Sequence, residues 1–339
     1  EVRSRWCTNE KTAMEAALGM SYAGKRSLVC MKHVGMNVAA DAFVNSAITG
    51  VNGGLVVLAA DDPSMHSSQN EQDSRFYGKF AMIPILEPST QQEAYDMMPY
   101  AYALSEELKL PVLMRVVTRL AHSRAEIAVR EPLAQKPLSP DNERTHWVLL
   151  PGNARRQYAT LVEKQGTLLS KSEESPYNSE LNNQNSKLGV LACGIAYNYV
   201  MENDPHKLGI PVLKVSQYPL PEATIKAFAA QCESLLIAED GQPMVEEQVK
   251  ALLGADYPVI GRLTGALPRM GELTPDNVGA ALGVSVEQPY ANAQNVMPRP
   301  PALCQGCGHR DVYDALNKVA AEYPDARIFG DIGCYTLGA

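Results

Sequence analysis

No stretch of this chain is apolar for long enough to cross a bilayer. The longest runs, such as Leu55–Ala60, fall far short of the roughly 20 residues a spanning helix needs. No charged-then-apolar signal segment opens the chain, and it begins at Glu1 without a methionine, so the natural N-terminus is expected to lie further upstream. Cysteine is sparse, seven among 339 residues, and the count is odd. That excludes a disulfide scaffold and makes a reducing cytoplasm the simplest setting. There is no large basic run, and 38 acidic side chains against 30 basic ones leave a net charge of −8 and a pI near 5.4. Nucleic acid is therefore disfavoured as the main partner. No internal repeat of solenoid period is present either. What remains is ordinary globular composition, 45% hydrophobic and 20% charged, with length for two or three domains that each bury a core.

Segments separate by pattern. In residues 1–130, short apolar runs of strand type (Ser27–Met31, Gly54–Ala60, Met82–Leu86, Pro111–Val117) alternate with helical patterns. Continuous apolar strands between helices predict a parallel sheet covered on both faces. An opening helix is expected with Ala13, Ala16, Ala17 and Met20 on one face and Gly24 as its stop. Another starts at the capping box Thr90–Glu93 and runs toward Leu108, with a kink or break at Pro99. Periodicity fades over residues 131–186, which read as a connecting stretch on the surface. Alternation resumes over 187–286, in the runs Leu188–Ala192, Pro211–Val215 and Ser234–Ala238, predicting a second α/β unit. After the proline cluster Pro298, Pro300 and Pro301, residues 298–339 hold a cysteine-glycine turn, a helix over Asp311–Ala321 and a strand over Arg327–Phe329. The chain then stops one strand into what reads as another α/β domain. This end is expected to be truncated or completed by another chain.

Four groups of residues could carry chemistry. Glu10 opens the first helix, where an acid in the first turn serves the helix dipole unless it faces a ligand. Lys32, His33 and Asn37 follow a buried strand, where open parallel sheets bind ligands; the same residues could equally form a solvated loop and helix cap. Asp61, Asp62 and His66 begin a long polar loop after the next strand, with a spacing that matches no defined calcium loop. A flexible acidic loop bordering a cleft is the expectation there. Cys304-Gln-Gly-Cys307-Gly-His309 is the sharpest signal, a CxxC pair on a glycine turn before a helix, with Cys334 beyond the next strand. Clustered thiolates suit iron–sulfur or zinc centres, which usually take four ligands, and only three are evident.

Taken together these stretches resemble the large (alpha) subunit of indolepyruvate:ferredoxin oxidoreductases, in the superfamily of thiamine-diphosphate-dependent 2-oxoacid:ferredoxin oxidoreductases. The resemblance rests on Asn9-Glu10-Lys11, Met31–Asp41, Ala60–Pro63, His66–Arg75, Cys304–Arg310 and Gly330–Gly338 in that order. It implies tandem doubly wound parallel-sheet domains of the thiamine-binding type. Residues 1–130 would be the pyrimidine-binding domain, 187–286 a transketolase C-terminal-like domain, and 298–339 the beginning of the diphosphate-binding domain. Glu10 then occupies the position of the glutamate that contacts N1′ of the aminopyrimidine. Lys32, His33, Asn37, Gly306, Gly308 and His309 fall among the implied cofactor-binding positions. Cys304, Cys307 and Cys334 fall on implied ligands of a 4Fe–4S cluster. No Mg²⁺ ligand can be assigned, and those are expected beyond residue 339. The implied reaction is oxidative decarboxylation of an aryl pyruvate to an acyl-CoA, with electrons passed through iron–sulfur clusters to ferredoxin.

The implied partners are a small (beta) subunit in a hetero-oligomer, ferredoxin, coenzyme A and a 2-oxoacid; the implied location is the cytoplasm, without nucleic acid or membrane. The fragment alone is expected to be inactive. Two alternatives remain open from the residues: a related enzyme acting on another 2-oxoacid, and a non-catalytic scaffold in which the CxxC pair binds zinc.

Overall fold

A computed structural model describes residues 2–181, 185–285, 302–329 and 334–337. The chain forms two compact units, Glu1–Val286 and Glu287–Ala339.

The first unit begins with α1 (Glu10–Tyr22), β1 (Ser27–Lys32), α2 (His33–Thr49) and β2 (Leu55–Asp61). It continues through α3 (Arg75–Ala81), β3 (Ile85–Leu86), α4 (Gln91–Leu108), β4 (Val112–Val117) and the short α5 (Thr118–His122). Helix α1 starts where it does because Asn9, in extended conformation, accepts the Thr12 N–H at 2.9 Å. Its buried face is Met14, Ala17 and Ser21; Ala16 is exposed and so is Met20, so the expected stripe is displaced around the helix. Helix α4 runs unbroken through Pro99. At its start Thr90 accepts the Glu93 N–H, but the Glu93 carboxylate turns to the Ser89 N–H and hydroxyl, so only half of the expected capping box forms.

Then follow α6 (Arg144–Trp147), α7 (Pro151–Glu173) and β5 (Ser179–Leu181). Next come β6 (Ser186–Cys193), α8 (Ala196–Glu202), β7 (Val212–Val215), β8 (Gln217–Tyr218) and α9 (Glu222–Ala229). The unit closes with β9 (Cys232–Ala238), α10 (Met244–Leu253), β10 (Val259–Ile260) and α11 (Pro275–Ala281). Helix α7 lies inside the stretch that reads as surface connection. It buries only Leu161, Leu168 and Ser172, too narrow an apolar stripe to stand out among its many polar residues.

One sheet has the order β1-β2-β4-β3-β8 and the other β10-β9-β6-β7-β5. Within each, every pairing is parallel except the last, β8 on β3 and β5 on β7. This is the tandem doubly wound α/β arrangement. Although β8 lies within the second half in sequence, it extends the first sheet through Ile85 opposite Tyr218, so the two halves share one framework. In register, Lys32 lies opposite Ala60 and Asp61 opposite Val117, which brings the carboxyl ends of three strands to one edge.

In the second unit, α12 (Gly308–Ala320) follows the CxxC turn and buries no side chain. No strand forms over Arg327–Phe329. Ile328 and Phe329 are exposed, and a strand needs a hydrogen-bonding neighbour that the described residues do not offer there.

Candidate active site at the strand ends

Lys32 is both the last residue of β1 and the residue capping α2. No side chain caps that helix, and its first turn carries no acid, so its positive end is uncompensated from within. The Lys32 ammonium donates to the Ser67 carbonyl at 2.6 Å and to Ser68 Oγ at 2.8 Å. His33 is wholly buried; its Nε2 lies 3.2 Å from the Asn70 carbonyl, while Nδ1 is buried with no hydrogen-bond partner among the described residues. Asn37 accepts the Tyr77 hydroxyl.

Glu10 reaches this helix end from α1. A Cβ placed on Gly35 would stand 2.5 Å from Glu10 Cγ and 3.0 Å from its Cδ. The carboxyl-bearing arm therefore lies across the first turn of α2, in the space a larger residue would fill. Glu10, Lys32 and His33, far apart or differently oriented on paper, converge on one helix terminus.

The polar loop after β2 is more ordered than expected. Asp62 is buried and accepts four hydrogen bonds: Ser67 N–H at 2.9 Å, Ser68 hydroxyl at 2.7 Å, His66 N–H at 3.2 Å and Thr118 hydroxyl at 2.8 Å. Burial pushes its pKa upward, yet the donors from Ser68, Ser67, Thr118 and His66 outweigh that and hold it at about 2. The loop does not present Asp61, Asp62 and His66 as a metal site, because the two aspartates are spent elsewhere. Among the described residues no group of three acidic, histidine or cysteine side chains is placed to hold a metal ion.

Asp61 instead enters a buried ionic cluster beneath the strand ends. Arg115, inside the otherwise apolar β4, donates to Asp61 Oδ2 at 2.6 Å, to Glu87, and to the Asp240 carbonyl at 2.7 Å. Arg75 pairs with Asp73 and stands 2.9 Å from Glu239 Oε2. Arg262 donates to the Glu239 carbonyl at 3.0 Å and to Asp240 Oδ1 at 3.2 Å. Gly241 takes φ of +113°, and a Cβ there would meet Arg115 Nη2 at 2.6 Å; glycine is required both for the backbone and for the close approach. Burial raises Glu239 to about 7 against the pull of Arg75, and Asp240 to about 6 against Arg262. For Asp73 burial also pushes upward, but Arg115 and Arg75 win and hold it at about 2.

Beside this edge, a cleft of about 300 Å³ is lined by His66, Thr118, Arg119, His122 and Ser123. Sequence reasoning passed over it and over the ionic cluster. One signal was available: Arg115 interrupts a run of strand residues that are otherwise all apolar.

In the second unit Gly306, with φ of +71°, turns the chain between Cys304 and Cys307, and Gly308 begins α12. His309 Nδ1 lies 3.3 Å from Cys307 Sγ. Cys304 and Cys334 are exposed and Cys307 half-buried. Among the described residues, Cys304, Cys307 and Cys334 are not gathered into a group of three placed to hold a metal ion. The expected Gly330-Asp331 segment lies outside the described residues.

Comparison with known proteins follows the same lines. Residues 3–164 match the family described as pyruvate flavodoxin/ferredoxin oxidoreductase, thiamine diphosphate-binding. The chain is 42% identical over 348 residues to indolepyruvate oxidoreductase subunit IorA of Methanothermobacter thermautotrophicus, covering 97% of this chain and 56% of that protein. It is 40% identical to the subunit of the same name from Archaeoglobus fulgidus, covering 98% of this chain and 56% of that one. It thus spans about half the length of the curated relatives it matches. Among solved structures, 2-oxoglutarate:ferredoxin oxidoreductase from Magnetococcus marinus, with 2-oxoglutarate, coenzyme A and succinyl-CoA bound, superposes with a TM-score of 0.62 at 14% identity. That match covers 81% of this chain and 56% of the other. A split gene transketolase superposes with a TM-score of 0.50 at 18% identity, covering 81% of this chain and 80% of that one. These two likenesses concern the fold.

Proposed function

Since the chain belongs to the family of indolepyruvate oxidoreductase subunits, we propose that its first α/β half holds the aminopyrimidine side of thiamine diphosphate in an enzyme that oxidatively decarboxylates an aryl 2-oxoacid. Two observations fit that cofactor. Among the described residues His33 Nδ1 is a buried polar atom without a hydrogen-bond partner, and the Glu10 arm occupies a gap that only glycine at position 35 leaves open. When bound, thiamine diphosphate supplies a nucleophilic carbon and an electron sink for the decarboxylation.

The chain's own part is to bind and orient. Glu10 holds a proton at N1′ of the aminopyrimidine, a charge-assisted hydrogen bond that sets the ring's tautomer. The uncapped start of α2 and the Lys32 ammonium favour negative charge at the strand ends. His33 and Asn37 supply further polar contacts, with Asn37 oriented by Tyr77. Gly306, Gly308 and His309 are proposed as further cofactor-binding residues. Cys304, Cys307 and Cys334 are proposed as ligands of an iron–sulfur cluster, which would carry electrons singly.

Coenzyme A as acyl acceptor, ferredoxin as electron acceptor and a second, smaller subunit complete the reading. The word subunit in the relatives' name and the ligands of the Magnetococcus marinus enzyme support them.

The observation that carries the reading is Glu10 lying against Gly35 at the head of α2. The test uses the full-length protein with its small subunit, supplied with thiamine diphosphate, coenzyme A and ferredoxin. Indolepyruvate is expected to drive ferredoxin reduction better than pyruvate or 2-oxoglutarate. Glu10→Ala is expected to lower turnover about 10²-fold or more. Unchanged turnover in that variant would refute the role of Glu10, and preference for another 2-oxoacid would refute the substrate class.

A further inference from the structure

We propose that Asp62 is a positioning residue whose carboxylate folds the Asp62–Ser68 loop into the socket that fixes the Lys32 ammonium at the end of β1, aimed at an anionic group of the ligand. The aim at a ligand rests on the functional reading above; the socket itself does not.

The loop is unusual in its backbone. Ser64 and Met65 both adopt positive φ, +72° and +54°, a region non-glycine residues seldom occupy. Something must offset that cost. The Asp62 carboxylate is placed to do so. From the residue before the bend, its two oxygens collect donors from the residues after it, the His66 and Ser67 N–H groups and the Ser68 hydroxyl, and anchor it to Thr118 at the head of α5.

The consequence reaches Lys32. The two atoms that receive its ammonium, the Ser67 carbonyl and Ser68 Oγ, belong to residues held by Asp62. Ser68 is shared, since its hydroxyl donates to Asp62 while its oxygen accepts from Lys32. Asp62 Oδ2 itself stands 3.9 Å from Lys32 Nζ, too far for a hydrogen bond but near enough for Coulomb attraction. An ammonium has three donors, and two are committed to the loop. The third is the one a ligand's carboxylate or phosphate can take. Glu71, which accepts from the Ser64 N–H at 3.3 Å, Glu272, whose N–H donates to Ser64 Oγ at 2.7 Å and whose carboxylate pairs with Arg119, and His66, 3.2 Å from Glu272, are other ionisable groups facing the loop. None of these hydrogen bonds reaches Lys32.

Asp62→Asn tests this with little change in volume. An amide presents a donor where the carboxylate received one, so at least one N–H or hydroxyl faces another donor. Ser68→Ala is the milder variant and removes only the shared bridge. The first readout is the rate at which Lys32 is acylated by an amine-selective reagent, followed by peptide mass spectrometry on the full-length protein. Relative to Lys250, which pairs with Glu246 on another element, Lys32 is expected to react several-fold faster in Asp62→Asn and less so in Ser68→Ala. Equal Lys32 rates in the wild type and Asp62→Asn overturn the proposal. The second readout is steady-state kinetics with the small subunit. Asp62→Asn and Lys32→Met are each expected to raise KM for the 2-oxoacid about tenfold, a larger change than in kcat. The double variant should be no worse than either single one, because Asp62 acts through Lys32. Additive losses overturn the proposal. A faster-reacting Lys32 with KM unmoved in Lys32→Met leaves the socket standing and overturns the ligand-binding role of Lys32.

Discussion

Nε of Arg115 stands 2.6 Å from Oδ2 of Asp61, and both side chains have no exposed surface. The pair joins neighbouring strands β2 and β4 just below the edge where Lys32 and Asp62 sit. It also continues, through Glu87 and the Asp240 carbonyl, toward the second sheet. Arg115→Met would leave Asp61 buried without its cation and Glu87 with only Arg75, 3.6 Å away. The expected loss is about 3–5 kcal/mol of unfolding free energy, measured by urea denaturation. Adding Asp61→Asn should recover part of that loss, since the orphaned charge is then gone.

The same cluster predicts the pH dependence of stability. Glu239 is raised from 4.5 to about 7 and Asp240 from 3.8 to about 6, in each case chiefly by burial. A carboxyl with a raised folded pKa binds its proton more tightly when folded. Its contribution is complete below the unfolded value and is lost as pH climbs through the folded one. Unfolding free energy is thus expected to fall by a few kcal/mol between about pH 5 and pH 8. Glu239→Gln, measured over the same range, should flatten much of that decline.

Gly35→Ala separates stability from chemistry. Alanine in a helix is favoured over glycine by about 1 kcal/mol, so the thermal midpoint should hold or rise. Yet the new methyl would lie 2.5 Å from Glu10 Cγ and must push that side chain aside. Weaker thiamine diphosphate binding and slower turnover in a protein at least as stable are the expected outcome, checked by cofactor titration alongside calorimetry.

Helix α7 gives a purely structural prediction. Leu168 is only 2% exposed, whereas Val162 on the same helix is 47% exposed. Leu168→Ala should cost about 2–5 kcal/mol, and Val162→Ala no more than about 0.5 kcal/mol, both by chemical denaturation.

Some of this was legible in residue order and some was not. Seven of the ten strands among the described residues could be read because each falls in a short apolar run between turn residues, a pattern that survives without tertiary information, whereas β5, β8 and β10 have only two or three residues each and leave no such run. Helix α7 could not, because three buried positions in 23 leave almost no periodic signal. The stripe on α1 was misjudged for a related reason. Alanine is small and tolerates either face, so Ala16 says little about orientation, while Met14 decides it.

The sequence by itself determined the α/β class, the family resemblance, and the placing of Lys32, His33 and Asp62 just beyond strand ends, since strand and helix periods are local. Only the tertiary structure decided that Glu10 crosses Gly35, that Asp62 grips the loop around Lys32, and that Arg75, Arg115 and Arg262 face carboxylates from both sheets. Such pairings depend on packing between residues distant in the chain, where burial and charge are settled by neighbours that no local pattern specifies.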